Sequence, residues 1–333
     1  MNKNDYKGIW VFAEQENGII NPSVFEIIGK AHELKAHNGE EISAVLMGGS
    51  GVDGLSKELI ARGADKVIVA QHENLTQYSA IPYQQALTQL AEKYLPSIIL
   101  YAATTIGRDL APRMMVSLHT GLTADAIDLS YDEDNVFCQT TPAYGGKIMA
   151  HIAIPEKRPQ MATVRTKLFA PLPADSSKTG VIVHEEVAVD REENIRVLSV
   201  REKPELGIPL DQAKVIVSGG RGIKNEQELS ALKELASLLN GAVASSRPLV
   251  EDGFLPHSRQ IGQSGETVKP EVIINVGISG CTQYMIGMRD SGCIISINKD
   301  KSAKIFEISN YGAVADLKAL VPAIISELKK RAN

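Results

Sequence analysis

From Gly8 to about Gly121, short runs of aliphatic and β-branched residues alternate with longer segments that are polar along one side. That texture predicts strands over Ile9 to Ala13, Ile42 to Met47, Lys66 to Ala70 and Ser97 to Ala102. The segments between them, Val24 to Ala36, Val52 to Arg62, Ile81 to Tyr94 and one opening near Thr105, are long enough to be helices. A parallel sheet covered by helices follows from this alternation. From Leu122 to Glu202 the pattern changes to β-type stretches broken by Pro, Gly and Asp, at Lys147 to Ile154, Met161 to Phe169 and Gly180 to Val189. These predict antiparallel strands that extend the first domain.

The segment Lys203-Pro204-Glu205-Leu206-Gly207-Ile208-Pro209 carries Pro and Gly and reads as a link. It separates a first domain, residues 1–206, from a second, residues 207–333. The second opens with a strand from Lys214 to Val217 and a helix from Asn225 to Leu239, whose Leu229, Leu232, Leu235, Ala236 and Leu239 recur at helical spacing. Strands are predicted at Ala242 to Ser245, Val272 to Val276, Cys293 to Ile297 and Ile305 to Ser309. A closing helix, Asp316 to Lys330, has an apolar stripe from Leu317 to Leu328. The predicted fold class is α/β: two doubly wound, mostly parallel-sheet domains.

A length of 333 residues suits two such domains at roughly 150 residues each. Thirty-five Lys and Arg against 40 Asp and Glu give a net charge of −5, and no stretch is basic enough to follow a phosphate backbone, so nucleic acid is excluded as the expected partner. Cys138, Cys281 and Cys293 lie far apart, without a C-x-x-C pair, which points to a reducing compartment and away from zinc. No apolar run reaches the roughly 20 residues a bilayer requires, and a strand-like segment begins within the first ten residues, which leaves no room for a signal peptide. A bacterial cytoplasmic protein without a membrane span is expected.

Candidate chemistry concentrates in the second domain. Ser218-Gly219-Gly220-Arg221-Gly222 follows a strand and precedes a helix, where α/β sheets place anionic ligands. Glycine lets backbone N–H groups approach a phosphate, and Arg221 adds a planar cation. Tight strand-to-helix turns also require glycine on steric grounds alone. A second such turn, Val276 to Gln283, makes the pair compatible with a dinucleotide, although Ser279 is equally suited to being a plain N-cap. Between the turns lie Ser245-Ser246-Arg247-Pro248 and Gln260 to Gly265. Arg247 reads either as a cation beside a redox-active ring or as half of a surface ion pair. Asn298 and Asp316 suit ribose or adenine, and Asp316 alternatively caps the last helix.

Elsewhere the signals are weaker. His32 and His37, five apart on a predicted helix, diverge too far around it to share a metal and read as solvated. The run Ile106-Gly107-Arg108-Asp109 is either a partner-facing edge or a helix start with an internal ion pair.

Together, VSGGRG, ASSRPLVEDGF, QIGQSG, VGISGCTQYMIGM, INKD and YGAVADL, in order from Val215 to Leu317, resemble the α subunit of electron transfer flavoproteins. In the first domain GRDLAPR, TGLTAD and RPQMATVR resemble the same family, so the likeness covers nearly the whole chain. The resemblance implies a Rossmann-like second domain that binds FAD, and a heterodimer whose β subunit packs against both domains. It places Arg221, Ser246, Ile261, Gly262, Gln263, Ser264, Ser279, Gly280, Cys281, Thr282, Gln283, Tyr284, Asn298, Asp316 and Leu317 along FAD, with Arg247 near the isoalloxazine and Ser264 near its N5; Arg247 and Ser264 would tune the flavin. No metal is implied.

The resemblance further implies electron shuttling between a flavin dehydrogenase, of the acyl-CoA dehydrogenase type, and another redox partner. The flavin domain would swing about Pro204 to Pro209. The anaerobic variant of this activity is electron bifurcation, with NADH as donor, a second FAD in the β subunit, and ferredoxin or flavodoxin among the acceptors. Many respiratory members carry histidine where this chain has Tyr284 and threonine where it has Ser264, so a neutral phenol is expected in place of an imidazolium beside the ring. Two readings from other classes compete: a nucleotide sensor without redox chemistry, and an NAD(P)-dependent dehydrogenase, for which G-x-G-x-x-G is lacking.

Overall fold

The computed structural model describes residues 3–143, 148–191, 195 and 207–332. The chain forms two compact units, Met1–Ser199 and Val200–Asn333. Lys203 to Leu206, most of the expected link, lies outside the described residues.

In the first unit the order is β1 (Ile9–Phe12), a small hairpin of β2 (Gln15–Glu16) and β3 (Ile19–Ile20), α1 (Pro22–Asn38), β4 (Ile42–Gly48), α2 (Ser56–Ala61), β5 (Lys66–Gln71), α3 (Ala80–Tyr94), β6 (Ile98–Ala102) and α4 (Thr105–Ser117). There follow β7 (Leu122–Ala126), β8 (Asp128–Tyr131), β9 (Phe137–Ala143), β10 (Ile148–Ala153), β11 (Gln160–Val164) and β12 (Val181–Glu185). Seven strands form one sheet in the order β12-β5-β4-β1-β6-β11-β7, with every pair parallel. Such strands bury both faces, which is why β1, β4, β6 and β11 are buried at every position.

Local boundaries follow local chemistry. Asn21 caps α1 by accepting the Ser23 amide, and Gly39 in the left-handed conformation closes it. The expected helix over Val52 to Arg62 divides into a 3₁₀ turn, Val52–Leu55, and the short α2. The expected antiparallel extension requires correction. Among the described residues of that stretch, only β8, β9 and β10 pair antiparallel, in a separate three-stranded sheet. The stretches starting at Met161 and Gly180 instead join the main sheet in parallel, as β11 beside β6 and β12 beside β5. Alternation reports that a segment is extended; it does not report its partner, which is fixed by contacts far along the chain.

In the second unit the order is β13 (Val215–Gly219), α5 (Glu226–Leu238), β14 (Ala242–Ser245), α6 (Arg247–Glu251), β15 (Val272–Val276), α7 (Thr282–Ile286), β16 (Cys293–Asn298), β17 (Tyr311–Val314) and α8 (Leu317–Ala332). Its five-stranded sheet, β14-β13-β15-β16-β17, is also wholly parallel. Asn225 and Glu228 start α5 reciprocally: the Asn225 side chain accepts the Glu228 amide, and the Glu228 carboxylate accepts from Lys224 N and Asn225 Nδ2.

One predicted strand is displaced. Lys304–Ile308 is a 3₁₀ turn with Ile305 fully buried, and the edge strand is β17, at Tyr311–Val314. Ile305 fills the sheet's face from above rather than extending its edge. Two apolar layers cover this sheet: Ile216, Ile273, Ile278, Tyr284 and Ile294 lie on one face, and Val217, Leu229, Leu232, Val276 and Val321 on the other. No described helix is long and apolar enough to cross a membrane.

Candidate functional site

The strand order of the second sheet reverses between β13 and β15: β14 lies to one side, β16 and β17 to the other. At such a switch point the loops beyond the strands' carboxyl ends diverge and leave a crevice. A cleft of about 900 Å³ opens there, near the upper end of the range for small-molecule sites.

Its walls come from six segments. The turn after β13 contributes Arg221 and Gly222; the start of α6 gives Ser246, Arg247 and Pro248; the loop before β15 gives Ile261 to Ser264. The turn after β15 contributes Gly277 to Cys281 with Gln283 and Tyr284, and the ends of β16 and β17 give Asn298, Asp316 and Leu317. The sequence-predicted site residues therefore converge on one cleft, except Thr282, which is not part of its lining.

The two glycine turns are packed against each other. Gly220 N donates to Val276 O at 2.9 Å and Gly222 N to Gly277 O at 3.0 Å. A Cβ on Gly222 would lie 2.7 Å from the Gly277 Cα. These two amides are therefore spent within the protein, and glycine there answers to turn packing. The amides of Arg221 and of Ser279 to Gln283 are different: among the described residues they donate no hydrogen bond. Gly280 holds part of this row in place. Its φ is +82°, and a Cβ would lie 2.2 Å from Ile305 N, so no side chain fits.

Several predicted ligands also brace the cleft. Asn298 Nδ2 donates to Ile278 O at 2.8 Å, and Asn298 Oδ1 accepts the Asp300 amide. Asp316 accepts the Lys318 amide at 2.9 Å, as an N-cap does, while also lining the cleft. Ser279 is not an N-cap; Cys281 occupies that position before α7. Arg247 is ion-paired to Glu251 at 2.8 Å, with both side chains more than half exposed. Ser264 is exposed, and Gln260 Nε2 donates to its hydroxyl at 3.0 Å. Arg221 is exposed and makes no ion pair among the described residues.

The expected phenol beside a ring needs revision. Tyr284 is 2% exposed, and its hydroxyl turns into the sheet, 2.6 Å from Asn275 Oδ1 and 2.8 Å from Ser218 Oγ. Burial pushes this phenol well above its ordinary range, so it stays neutral.

Sequence reading missed Lys224, Glu251, Lys299, Asp300 and Lys318, which also line the cleft. Lys299 and Asp300 stand in the INKD segment and so carried a signal; Lys224 and Lys318 reach the cleft from helix starts and carried none. In the first unit, His32 Nε2 lies 2.7 Å from Gly63 O, and His37 stacks on Tyr131. Arg108 is ion-paired to Asp125 rather than within its own turn. No cluster of metal-ligating side chains occurs among the described residues.

Comparison with known proteins matches residues 9–190 to the electron transfer flavoprotein domain and residues 209–289 to the electron transfer flavoprotein FAD-binding domain. The electron transfer flavoprotein subunit alpha of Thermoanaerobacterium thermosaccharolyticum is 43% identical, over 98% of this chain and 99% of that protein. The LctC subunit of a lactate dehydrogenase (NAD(+),ferredoxin) from Acetobacterium woodii is 39% identical, over 100% of this chain and 79% of LctC. An acryloyl-CoA reductase electron transfer subunit beta from Anaerotignum propionicum is 36% identical, over 99% of this chain and 98% of that protein. With two domain matches in chain order and likeness along its whole length, this chain belongs to the electron transfer flavoprotein alpha subunit family.

Proposed function

We propose that this chain is the α subunit of a heterodimeric electron transfer flavoprotein that holds FAD in the cleft of its second unit. There it passes electrons between a flavin dehydrogenase, of the acyl-CoA dehydrogenase type, and another redox partner. The observation that carries this reading is that most of the cleft wall, from Arg221 to Tyr284, falls inside the region matched by the FAD-binding domain.

The residues fit the group. The unpaired amides of Ser279 to Gln283, with Arg221 and Lys224 nearby, supply N–H donors and positive charge for a pyrophosphate. Leu317, half-buried, offers apolar surface to a ring system, and the nearly buried Ile261 and Ile278 also line the cleft. A bound flavin accepts two electrons and releases them singly. The protein's part is to bind the dinucleotide, exclude water from one face and set local charge. Arg247, on the cleft wall, adds a cation partly offset by Glu251. The first unit is read as the platform for a β subunit, in a cytoplasmic complex.

A second reading, electron bifurcation with NADH and ferredoxin or flavodoxin, draws support from the full-length likeness to LctC, whose name couples NAD(+) to ferredoxin. The deciding measurement is FAD content after co-purification with a β subunit. One FAD per heterodimer supports the simple carrier, two support bifurcation, and none defeats the flavoprotein reading.

A further inference from the structure

Across the second sheet, register aligns Ser218 on β13, Asn275 on β15 and Ser296 on β16 in one row. All three are 0% exposed. They share a face with Ile216, Ile273 and Ile294, two residues earlier on each strand. Three polar side chains in a row at the heart of a parallel sheet are costly unless each is hydrogen-bonded.

The row is bonded at both ends. Tyr284, from α7, lies 2.8 Å from Ser218 Oγ and 2.6 Å from Asn275 Oδ1. Asn275 Nδ2 donates to Ser296 Oγ at 3.3 Å, and Ser296 and Ser309 hydroxyls meet at 2.7 Å. Ser309 in turn bonds Ile305 O at 2.7 Å. A phenol has one proton, and an amide oxygen only accepts, so that proton goes to Asn275. Ser218 then donates to Tyr284, Asn275 to Ser296, Ser296 to Ser309, and Ser309 to the Ile305 carbonyl. The chain runs in one direction, and each hydroxyl proton is used once.

The member that leaves the sheet is Tyr284. Its helix, α7, has five residues, too few to be stable alone. The amides preceding Tyr284, Ser279 to Gln283, are unpaired among the described residues, and all but Thr282 belong to residues on the cleft wall; the Tyr284 and Met285 amides bond back to Cys281 O.

We propose that Tyr284 is a positioning residue: its phenol, anchored in the Ser218–Asn275–Ser296 row, fixes α7 and thereby aims the amides of Ser279, Gly280, Cys281 and Gln283 at the pyrophosphate of the bound dinucleotide. This rests on the flavin reading above. It assigns Tyr284 no direct influence on the flavin ring, because its only polar atom faces the sheet.

The test compares wild type with Tyr284→Phe in the heterodimer, freed of flavin and titrated with FAD, ADP and riboflavin. Tyr284→Phe is expected to weaken FAD and ADP on the order of tenfold. Riboflavin, which lacks a pyrophosphate, should keep its affinity, the midpoint potential of bound FAD should stay unchanged, and hydrogen exchange should quicken at the amides of residues 284, 285 and 287. Ser218→Ala, which removes the phenol's other partner, should move the same quantities in the same direction by less, and it serves if Tyr284→Phe does not fold. Unchanged FAD affinity, an equal loss for riboflavin and ADP, or a shifted potential each overturns the proposal. If wild type takes up no FAD, the flavin reading falls, and exchange still decides the anchor: quickened exchange keeps it and unchanged exchange overturns it.

Discussion

The two sheets end differently at their switch points. In the first unit the order reverses between β1 and β6. There the carboxylate of Glu14, just beyond β1, accepts a hydrogen bond from Thr104 at 2.5 Å, and Thr104 also caps α4 by accepting the Gly107 amide. Asn21 holds the other Glu14 oxygen at 3.0 Å. Burial pushes the Glu14 carboxyl up, against the pull of Thr104 and Asn21. An acidic side chain thus already stands beside the helix start that an anion would use. At the second switch point, among the described residues, no carboxylate accepts from the turn before α7: Glu228 caps α5 and Asp316 caps α8, while glycine turns, Arg221 and unpaired amides face a cleft. One architecture therefore yields a closed edge or an open cleft with unpaired amides, according to a few residues beyond the strand ends.

The change expected to break the open edge most severely is Gly280→Ala. The left-handed φ and the Ile305 amide leave no space for a methyl group, and the expected cost is about 2–5 kcal/mol. Chemical unfolding should register this loss in the second unit's transition while the first unit's stays in place.

Arg221→Ala comes next. Losing a charge-assisted contact should weaken FAD binding by roughly 1.5–3 kcal/mol, about ten- to a hundredfold, with the fold retained. Calorimetric titration giving wild-type affinity would remove Arg221 from the pyrophosphate site.

In the first unit, Asp125 pairs with Arg165 at 2.5 Å and with Arg108 at 3.2 Å. Burial raises its carboxyl, but the two arginines outweigh burial and hold it below the usual range. Asp125→Asn is expected to cost about 1–2 kcal/mol, since the pair is only partly buried. A group with a depressed folded-state value contributes fully above the unfolded value, about 3.9 for Asp, and loses its contribution as pH falls through the lower folded value. The stability gap between wild type and variant should therefore hold from neutral pH to about pH 4 and close below it.

The smallest effect is expected from Arg247→Ala. The guanidinium is 67% exposed and already paired to Glu251. Its removal should lower the flavin midpoint potential by a few tens of millivolts, the equivalent of about 1 kcal/mol or less. Redox titration of Glu251→Gln should show the opposite shift, and equal shifts of the same sign would refute the charge argument.

Much of this was legible in the sequence, because the signals are local. Strand and helix positions follow from the period of apolar residues, as in β4 and α5, and caps such as Asn225 with Glu228 are set by residues three apart. The glycine turns after β13 and β15 marked the cleft because strand-to-helix turns at a sheet's edge leave little choice of residue. Resemblance along the chain then gathered Arg221, Ser264 and Asp316 into one expected site.

Tertiary structure alone decided what depends on residues far apart in sequence. It set β11 and β12 parallel within the main sheet, because strand pairing is chosen by distant neighbours competing for the same edge. It made Ile305 a buried plug and Tyr311–Val314 the edge strand, since an apolar segment can cover a face as readily as extend an edge. It turned the Tyr284 hydroxyl away from the cleft, because Ser218 and Asn275, 66 and 9 residues away, offered buried partners that a phenol satisfies. Sequence period tells which residues leave water; which of them meet is fixed only when the sheet assembles.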